Sequence, residues 1–433
     1  MTNFIFIVAD DLGYADLGCY GGRAPVSPVL DKLAANGIKY VNGYSNSPVC
    51  SPTRFALMTG RYQYWVRGAS EEPMAGNAVG SSELGLFPEL PTLPSMLKDS
   101  GYHTALIGKW HLGYRPHFGP DKSGYIHHYG PMSGGVGYYS HESRSIGPDL
   151  ELDGQPHTDT GYLTDLISNR AVDYVNARAE DKQPFLLSLH YTAPHWPWET
   201  RAQGKVDPEI AKNITHLDGG NVETYQTMIR EMDEGIGWLV DALKKNDQLD
   251  DTLIIFTSDN GGERFSDNWP LVGGKMDLTE GGIRVPYIAH WPKGIKQTGE
   301  TSDQHCMTMD WTATILDIAG VKPPEDHPLD GVSMAATFTD VTNTFDRPMY
   351  WRMKHREQRA ARLGDWKYLK VDEHEYLFNV VDDARERANQ AKRQPERLSA
   401  MREQYMQWAQ QVPPIPEDAK VTLVYTSADM PQR

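Results

Sequence analysis

The chain has 433 residues, of which 39% are hydrophobic and 23% charged, a balance that suits a globular protein with one large core or a large and a small one. Its formal net charge of −16 argues against a nucleic-acid partner and means that an anionic substrate must be captured by clustered cations against the overall field. Three cysteines, Cys19, Cys50 and Cys306, are too few for a disulfide framework, and no bridge is expected.

The chain opens Met1-Thr2-Asn3 and runs straight into an apolar stretch, with no basic leader region and no segment of about 18 apolar residues. The expectation is a protein with no membrane span that is cytoplasmic, or from which a leader has been trimmed. Residues 4–9 are a short continuous apolar run, the pattern of a strand buried on both faces of a parallel sheet. It ends in Asp10-Asp11, at the carboxyl end of the strand, where open α/β sheets bind ligands; taken alone, the pair also suits a cap or a turn. Residues 28–36 predict a helix closed by Gly37, and 38–44 a second strand.

Next comes Cys50-Ser51-Pro52-Thr53-Arg54, with proline in the first turn of a helix and arginine one turn on. The cysteine thus sits at a positive helix end, an environment for an anion or its chemistry, although a lone cysteine is more often an inert buried thiol. Residues 92–100 predict a helix stopped by Gly101, and 102–107 a strand that leads into Gly108-Lys109-Trp110-His111-Leu112-Gly113. In an extended segment Lys109 and His111 point the same way and reach one anion.

Residues 114–159 are rich in Gly, Tyr, His and Ser, have little periodicity and predict long loops, in which Tyr138, Tyr139, His141 and Arg144 are candidate substrate contacts. A helix over 163–179 and a buried strand over 184–190 precede Ala193-Pro194-His195-Trp196-Pro197-Trp198. The flanking prolines stiffen the backbone around His195, and Trp196 and Trp198 offer rings that stack on a sugar or simply pack. A long amphipathic helix over 222–245 leads to an apolar strand over 252–257 that ends in Ser258-Asp259-Asn260-Gly261-Gly262.

Asp10, Asp11, Asp259 and Asn260 together supply four oxygen-bearing side chains from two strand ends, without nitrogen or sulfur ligands. Such a set suits a hard cation, Ca²⁺ ahead of Mg²⁺. Gly273-Gly274-Lys275 lets a lysine approach a ligand closely. A strand over 287–290 and a helix over 311–318 follow, then Pro323, Pro324, Pro328 and a polar linker over 337–347. Strands over 349–354 and 366–371 and a helix over 395–411 complete a C-terminal antiparallel unit, so the expected organisation is a catalytic domain over 1–336 and a subdomain over 345–433.

Cys50-x-Pro52-x-Arg54, followed by Leu57 and Thr59-Gly60, resembles the modification signature of the type I, formylglycine-dependent sulfatases, which belong to the alkaline phosphatase superfamily. Residues 108–113 are similar to the second sulfatase signature, and Pro194-His195-x-Pro197, Lys275 and Gly364-Asp365-Trp366-Lys367-Tyr368-Leu369 match further family elements. The resemblance implies an α/β/α sandwich around a mostly parallel sheet, with a smaller four-stranded antiparallel sheet and helix at the C-terminus. It implies that a formylglycine-generating enzyme oxidises Cys50 during maturation, and that a hydroxyl of the hydrated aldehyde, bound to Ca²⁺, attacks the sulfur of a sulfate ester.

Carried over by position, Asp10, Asp11, Asp259, Asn260 and modified Cys50 hold the metal, and Arg54 steadies them. Lys109 and Lys275 neutralise the sulfate, His195 protonates the leaving oxygen, and His111 takes the proton whose loss expels sulfate. The expected substrate is a sulfated carbohydrate, with a small aryl sulfate as a poorer surrogate, and Trp196, Trp198, Arg144 and His141 are the candidate contacts. The alternatives are a phosphomonoesterase or phosphonate monoester hydrolase of the same superfamily, or a non-catalytic carbohydrate-binding relative.

Overall fold

The computed structural model describes residues 1–204 and 220–424. At its centre lies the strand Asn3–Ala9, buried along its whole length and paired in parallel with Phe185–His190 on one side and Thr252–Ser258 on the other. Continuous apolarity at 4–9 has a direct cause, because alternate side chains enter different cores. Ile5 and Ile7 join a cluster with Leu30, Ile167 and Ile236, whereas Phe4 and Phe6 join one with Phe55, Leu97 and Ile315.

Those partners lie on helices Pro28–Ala35, Leu163–Asp181 and Val222–Lys245 in the first cluster, and on Cys50–Thr59, Leu93–Asp99 and Thr308–Ala319 in the second. Helices therefore cover both faces, and the architecture is the expected α/β/α sandwich. Among the described residues the sheet has ten strands, in the order Glu300–Ser302, Ile38–Tyr40, Tyr287–His290, Thr252–Ser258, Asn3–Ala9, Phe185–His190, His103–Gly108, His127–Pro131, Leu150–Leu152 and Gln155–Pro156. Parallel pairing runs from Thr252–Ser258 to His127–Pro131, and outside that block the pairs are antiparallel except Glu300–Ser302 with Ile38–Tyr40, which is parallel.

Two local expectations change. The strand expected over 38–44 is two pieces, since Gly43–Tyr44 leaves the large sheet and pairs with Cys306–Met307. Gly43 permits the departure: a Cβ there would lie 2.2 Å from the Tyr287 ring. The 114–159 region, expected to be loops, contributes the three strands at one edge of the sheet. Their local β signal is weak, and their pairing is supplied by neighbours distant in sequence, as at Ile107 opposite Tyr129.

The C-terminal part is a four-stranded antiparallel sheet, Met349–Arg352, Arg359–Leu363, Trp366–Val371 and His374–Asn379, with helix Pro395–Ala409. Its core, with Trp351, Tyr368 and Leu377, is continuous with Tyr44, Val49, Cys50, Met276 and Ile283 around the cysteine and lysine loops. No helix among the described residues is long and apolar enough to cross a membrane.

Candidate active site

Parallel pairing brings the chemistry-bearing residues together. Ala9 is in register with Ser258, so Asp10-Asp11 and Asp259-Asn260 emerge side by side from adjacent strand ends. Gly108 closes a neighbouring strand with φ 115°, and a Cβ there would lie 1.8 Å from the carbonyl oxygen of His190, so glycine is what lets Lys109 begin its turn against that strand. Cys50 is the first residue of helix Cys50–Thr59 and is 1% exposed. The loop bearing Lys275 is tied to the same region by Lys275 N–H to Gly262 O, 3.1 Å, and Met276 N–H to Pro48 O, 2.8 Å.

Three buried carboxylates each face a buried cation. Lys109 Nζ lies 2.6 Å from Asp10 Oδ2, Lys275 Nζ 2.7 Å from Asp11 Oδ2, and Arg54 reaches Asp259 Oδ2 through Nε at 3.0 Å and Nη2 at 2.9 Å. Burial raises Asp11, but Lys275 and His195 outweigh it and bring its carboxyl down to about 2. At Asp259, burial and then the Asp10 charge win over Arg54 and Lys109, and the carboxyl is pushed up to about 7. Burial also raises the Cys50 thiol despite Lys109 and Lys275, so an unmodified Cys50 is held as the protonated thiol.

The donor set fits a hard cation. One ligand atom each from Asp10, Cys50 and Asp259 lie within 4.8 Å of one another. Asp10 Oδ1 and Asn260 Oδ1 are buried and make no hydrogen bond. Buried oxygens without partners are costly unless something else meets them, and an oxygen-liganded divalent ion would do so. With three carboxylates already matched by three cations, such an ion would leave the site net positive, as an anionic substrate requires.

The two histidines are oriented by backbone carbonyls. His195 Nδ1 donates to Trp196 O at 2.5 Å, which turns Nε2 toward Asp11 Oδ2, 3.5 Å away. His111 Nε2 donates to Met74 O at 2.7 Å and leaves Nδ1 buried and unpartnered, an imidazole with a free lone pair. Burial lowers both, His195 to about 3 and His111 well below its ordinary value, with Lys109 adding to the effect at each. A Cβ on Gly134 would lie 2.3 Å from His111 Cε1, and one on Gly135 3.2 Å from His195 Cε1, so this glycine pair is seated between the two rings. Lys109 and His111 do reach one site, though not through an extended segment: His111 is left-handed, φ 59°.

A family model described as Sulfatase matches residues 2–321, and one described as N-sulphoglucosamine sulphohydrolase, C-terminal, matches residues 274–404. The chain belongs to the sulfatase family. Human N-acetylgalactosamine-6-sulfatase is 32% identical over 384 residues, covering 84% of this chain and 70% of the relative. N-acetylgalactosamine-6-O-sulfatase of Bacteroides thetaiotaomicron is 26% identical over 489 residues, covering 91% of this chain and 90% of the relative. A crystal structure of Ps i-CgsB in complex with k-i-k-neocarrahexaose superposes with a TM-score of 0.85 at 34% identity, covering 94% of this chain and 92% of that one. The protein is therefore a sulfuric ester hydrolase with the sulfatase fold.

In this sulfatase, Cys50, His111, His195 and Lys275 open onto a cavity of about 410 Å³. Arg144 and Trp196, expected as substrate contacts, line it, and Trp196 lies against the His195 ring at 4.6 Å. Trp198 and His141 do not. Trp198 is 8% exposed and packs on Phe265 at 4.6 Å and beneath the Arg264 guanidinium, while His141 is bound through Nε2 to Gly161 O at 3.0 Å within its own loop. Tyr138 is likewise structural, its hydroxyl donating to the carbonyls of Thr192 and His195, and Tyr139 donates to Arg201 O.

Sequence reasoning missed His190, a strand-end histidine whose Nδ1 meets Arg54 Nη1 at 3.4 Å, and the cavity walls made by Met74–Ala75, Ser133 and Thr422–Leu423. The glycine pair in the 114–159 region was the available signal for Ser133. Nothing local marks Thr422 or Leu423.

Proposed function

We propose that this sulfatase releases inorganic sulfate from a sulfated carbohydrate by means of a formylglycine made from Cys50 and a Ca²⁺ held by Asp10, Asp11, Asp259, Asn260 and the modified residue. The observation that carries the reading is Cys50 itself, at the floor of the cavity and the head of its helix, with its ligand atom within 4.8 Å of Asp10 and Asp259. A thiol held protonated there is a poor nucleophile, which favours an oxidised residue. When present, the hydrated aldehyde supplies two hydroxyls on one carbon, and the Ca²⁺ supplies positive charge that makes a neighbouring hydroxyl a better nucleophile and offsets charge on the sulfate.

The chain's own residues do the rest. Lys109 and Lys275 place positive charge beside the sulfate oxygens and offset the negative charge those oxygens carry during transfer. His195, with Nδ1–H fixed on Trp196 O, carries a proton on Nε2 toward the leaving oxygen. An anionic substrate in the cavity favours the imidazolium that this step needs. His111, with Nε2–H fixed on Met74 O, accepts a proton at Nδ1, which frees the sulfate and restores the site. Arg54 fixes Asp259 and, through Nη1 to Lys109 O at 3.2 Å, the turn that bears Lys109.

Sugar recognition is supported by Trp196 and Arg144 in the cavity wall and by the names of the similar proteins, which include N-acetylgalactosamine sulfatases and a neocarrahexaose complex. The deciding experiment is the mass of the proteolytic peptide that contains Cys50, with its reactivity toward a hydrazine probe, in protein co-produced with a formylglycine-generating enzyme. An aldehyde or its hydrate is expected, together with sulfate release from sulfated sugars that falls on Ca²⁺ chelation and returns with Ca²⁺. An unmodified thiol in active protein would overturn the proposed nucleophile.

A further inference from the structure

The C-terminal sheet carries a second cavity, again of about 410 Å³, walled by its first two strands, by Tyr405 and Met406 of the closing helix and by residues 414–417 of the tail. Its charge is anomalous for an acidic protein. Arg352 and Arg359 stand directly opposite each other across the antiparallel pair, an arrangement that repels when nothing lies between the two cations. Among the described residues neither has a carboxylate partner. The Arg352 guanidinium lies over the Tyr64 ring at 4.4 Å and donates through Nη2 to Pro413 O, while its Nε is buried and unpartnered. Burial, with Arg359 adding, lowers its proton affinity below the ordinary guanidinium range. The Tyr405 ring is buried and lines the cavity, and both the Arg359 and Arg352 charges act on its hydroxyl. Glu357 and Glu417 stand at the rim; the Glu357 carboxylate faces Lys370 at 3.7 Å.

The same tail connects this cavity to the catalytic one. Residues 414–417 wall the first, and Thr422 and Leu423 wall the second. The strap is fixed by Glu72 N–H to Lys420 O and Thr422 N–H to Glu72 O, both 2.9 Å, and by Thr422 Oγ1 to Pro73 O at 2.6 Å. Five residues of fully extended chain span at most about 18 Å, so one ligand of modest length reaches both cavities.

We propose that this cavity is a second anion site, in which Arg352 and Arg359 hold a sulfate group of the same glycan chain whose scissile sulfate occupies the catalytic cavity. Paired guanidinium forks match sulfate oxygens in geometry as well as charge, and an anion between them turns the repulsion into two charge-assisted contacts. The glycan identity rests on the function proposed above; the anion site does not.

The test uses the full chain and Arg359→Gln, which leaves in place the Arg352 charge stacked on Tyr64. With a size-defined, multiply sulfated oligosaccharide, KM is expected to rise about tenfold relative to that for a small aryl sulfate, a factor equal to about 1.4 kcal/mol. Arg359→Lys, which keeps charge but not the fork, is expected to fall between. Calorimetric titration of Cys50→Ala protein, with and without Arg359→Gln, reads binding of the same oligosaccharide without turnover, and inorganic sulfate is titrated separately. The Tm of Arg359→Gln should equal or exceed that of the parent, since a repulsion is relieved. Oligosaccharide KM and Kd that ignore the substitution overturn the proposal. A response confined to inorganic sulfate overturns the glycan assignment. Absence of turnover with every sulfate ester overturns the proposed function, while the titration still reads the cavity.

Discussion

Carbonyl oxygens, not carboxylates, fix the direction of the His195 and His111 imidazoles, and this leaves each ring one nitrogen for the site. Nδ1–H of His195 on Trp196 O leaves only Nε2 to face the site, and Nε2–H of His111 on Met74 O leaves only Nδ1. If His195 delivers the proton to the leaving oxygen, its value depends on how much that oxygen needs one. We expect His195→Ala to lower kcat on a sugar sulfate by about 10²–10⁴-fold, and to lower it far less on an aryl sulfate whose phenoxide leaves readily. Steady-state kinetics on the two substrates reads the difference, and equal losses would remove His195 from the acid role. At this scale the gathering of Asp10, Asp11, Asp259, Asn260 and the two lysines was legible because each lies beside a strand end or in a compact motif. Trp198 and His141 were not told apart from Trp196 and Arg144, since a ring or a cationic side chain faces a cavity or a core according to partners far away, Phe265 for Trp198 and Gly161 for His141.

Helices show the same division. The span 222–245 was legible because a long amphipathic pattern is local; the structure adds an equally local cap, Thr224 N–H to Asn221 Oδ1 at 2.9 Å, whereas the cap of Pro28–Ala35 is tertiary. Ser27 makes no side-chain cap bond to that helix; Asp233, from the middle of Val222–Lys245, instead accepts from Val29 and Leu30 N–H at 2.9 Å each. Losing this cap in Asp233→Ala should cost about 1–2 kcal/mol in chemical denaturation. Burial pushes the Asp233 carboxyl up from 3.8 to about 7. Between those values the folded state binds a proton that the unfolded state does not, so the stability linked to that proton is full below about pH 4 and is lost as pH rises through about 7, while the Val29 and Leu30 bonds favour the carboxylate and act against the rise. Asp233→Asn keeps an acceptor and does not titrate, so its Tm should vary less than that of the parent over this window; parallel profiles would count against the assignment.

Across the whole molecule, the C-terminal sheet is bolted to the lysine loop by buried charge. Lys367 Nζ lies 3.0 Å from Glu280 Oε1 and 2.9 Å from Glu386 Oε1, and Glu280 N–H donates to Glu386 Oε2 at 2.7 Å. Removing the cation leaves buried Glu386 without a cation, while Glu280 keeps Arg284 at 3.4 Å and Arg362 at 3.6 Å, so Lys367→Met should destabilise the fold by about 3 kcal/mol. Glu280 opens the short helix Glu280–Ile283 that follows the Lys275 loop, and KM for sulfate esters should rise with the loss. Adding Glu386→Gln should restore part of the stability; denaturation of the single and double variants measures this, and no restoration would mean that the cost lies elsewhere.

The parallel core, the positions of Asp10, Asp11, Asp259 and Asn260 at its strand ends, the cysteine loop and the two lysines were all legible in the amino-acid sequence. Those features rest on short-range apolar periodicity and on motifs of a few residues. Tertiary structure alone decided which loop residues wall the cavity, that the 114–159 region extends the sheet, and that the tail returns from the C-terminal sheet to Glu72 beside the catalytic centre. The reason is physical: each of these depends on pairing between segments far apart in the chain, where a backbone hydrogen bond or a ring contact forms only after the core has brought them together.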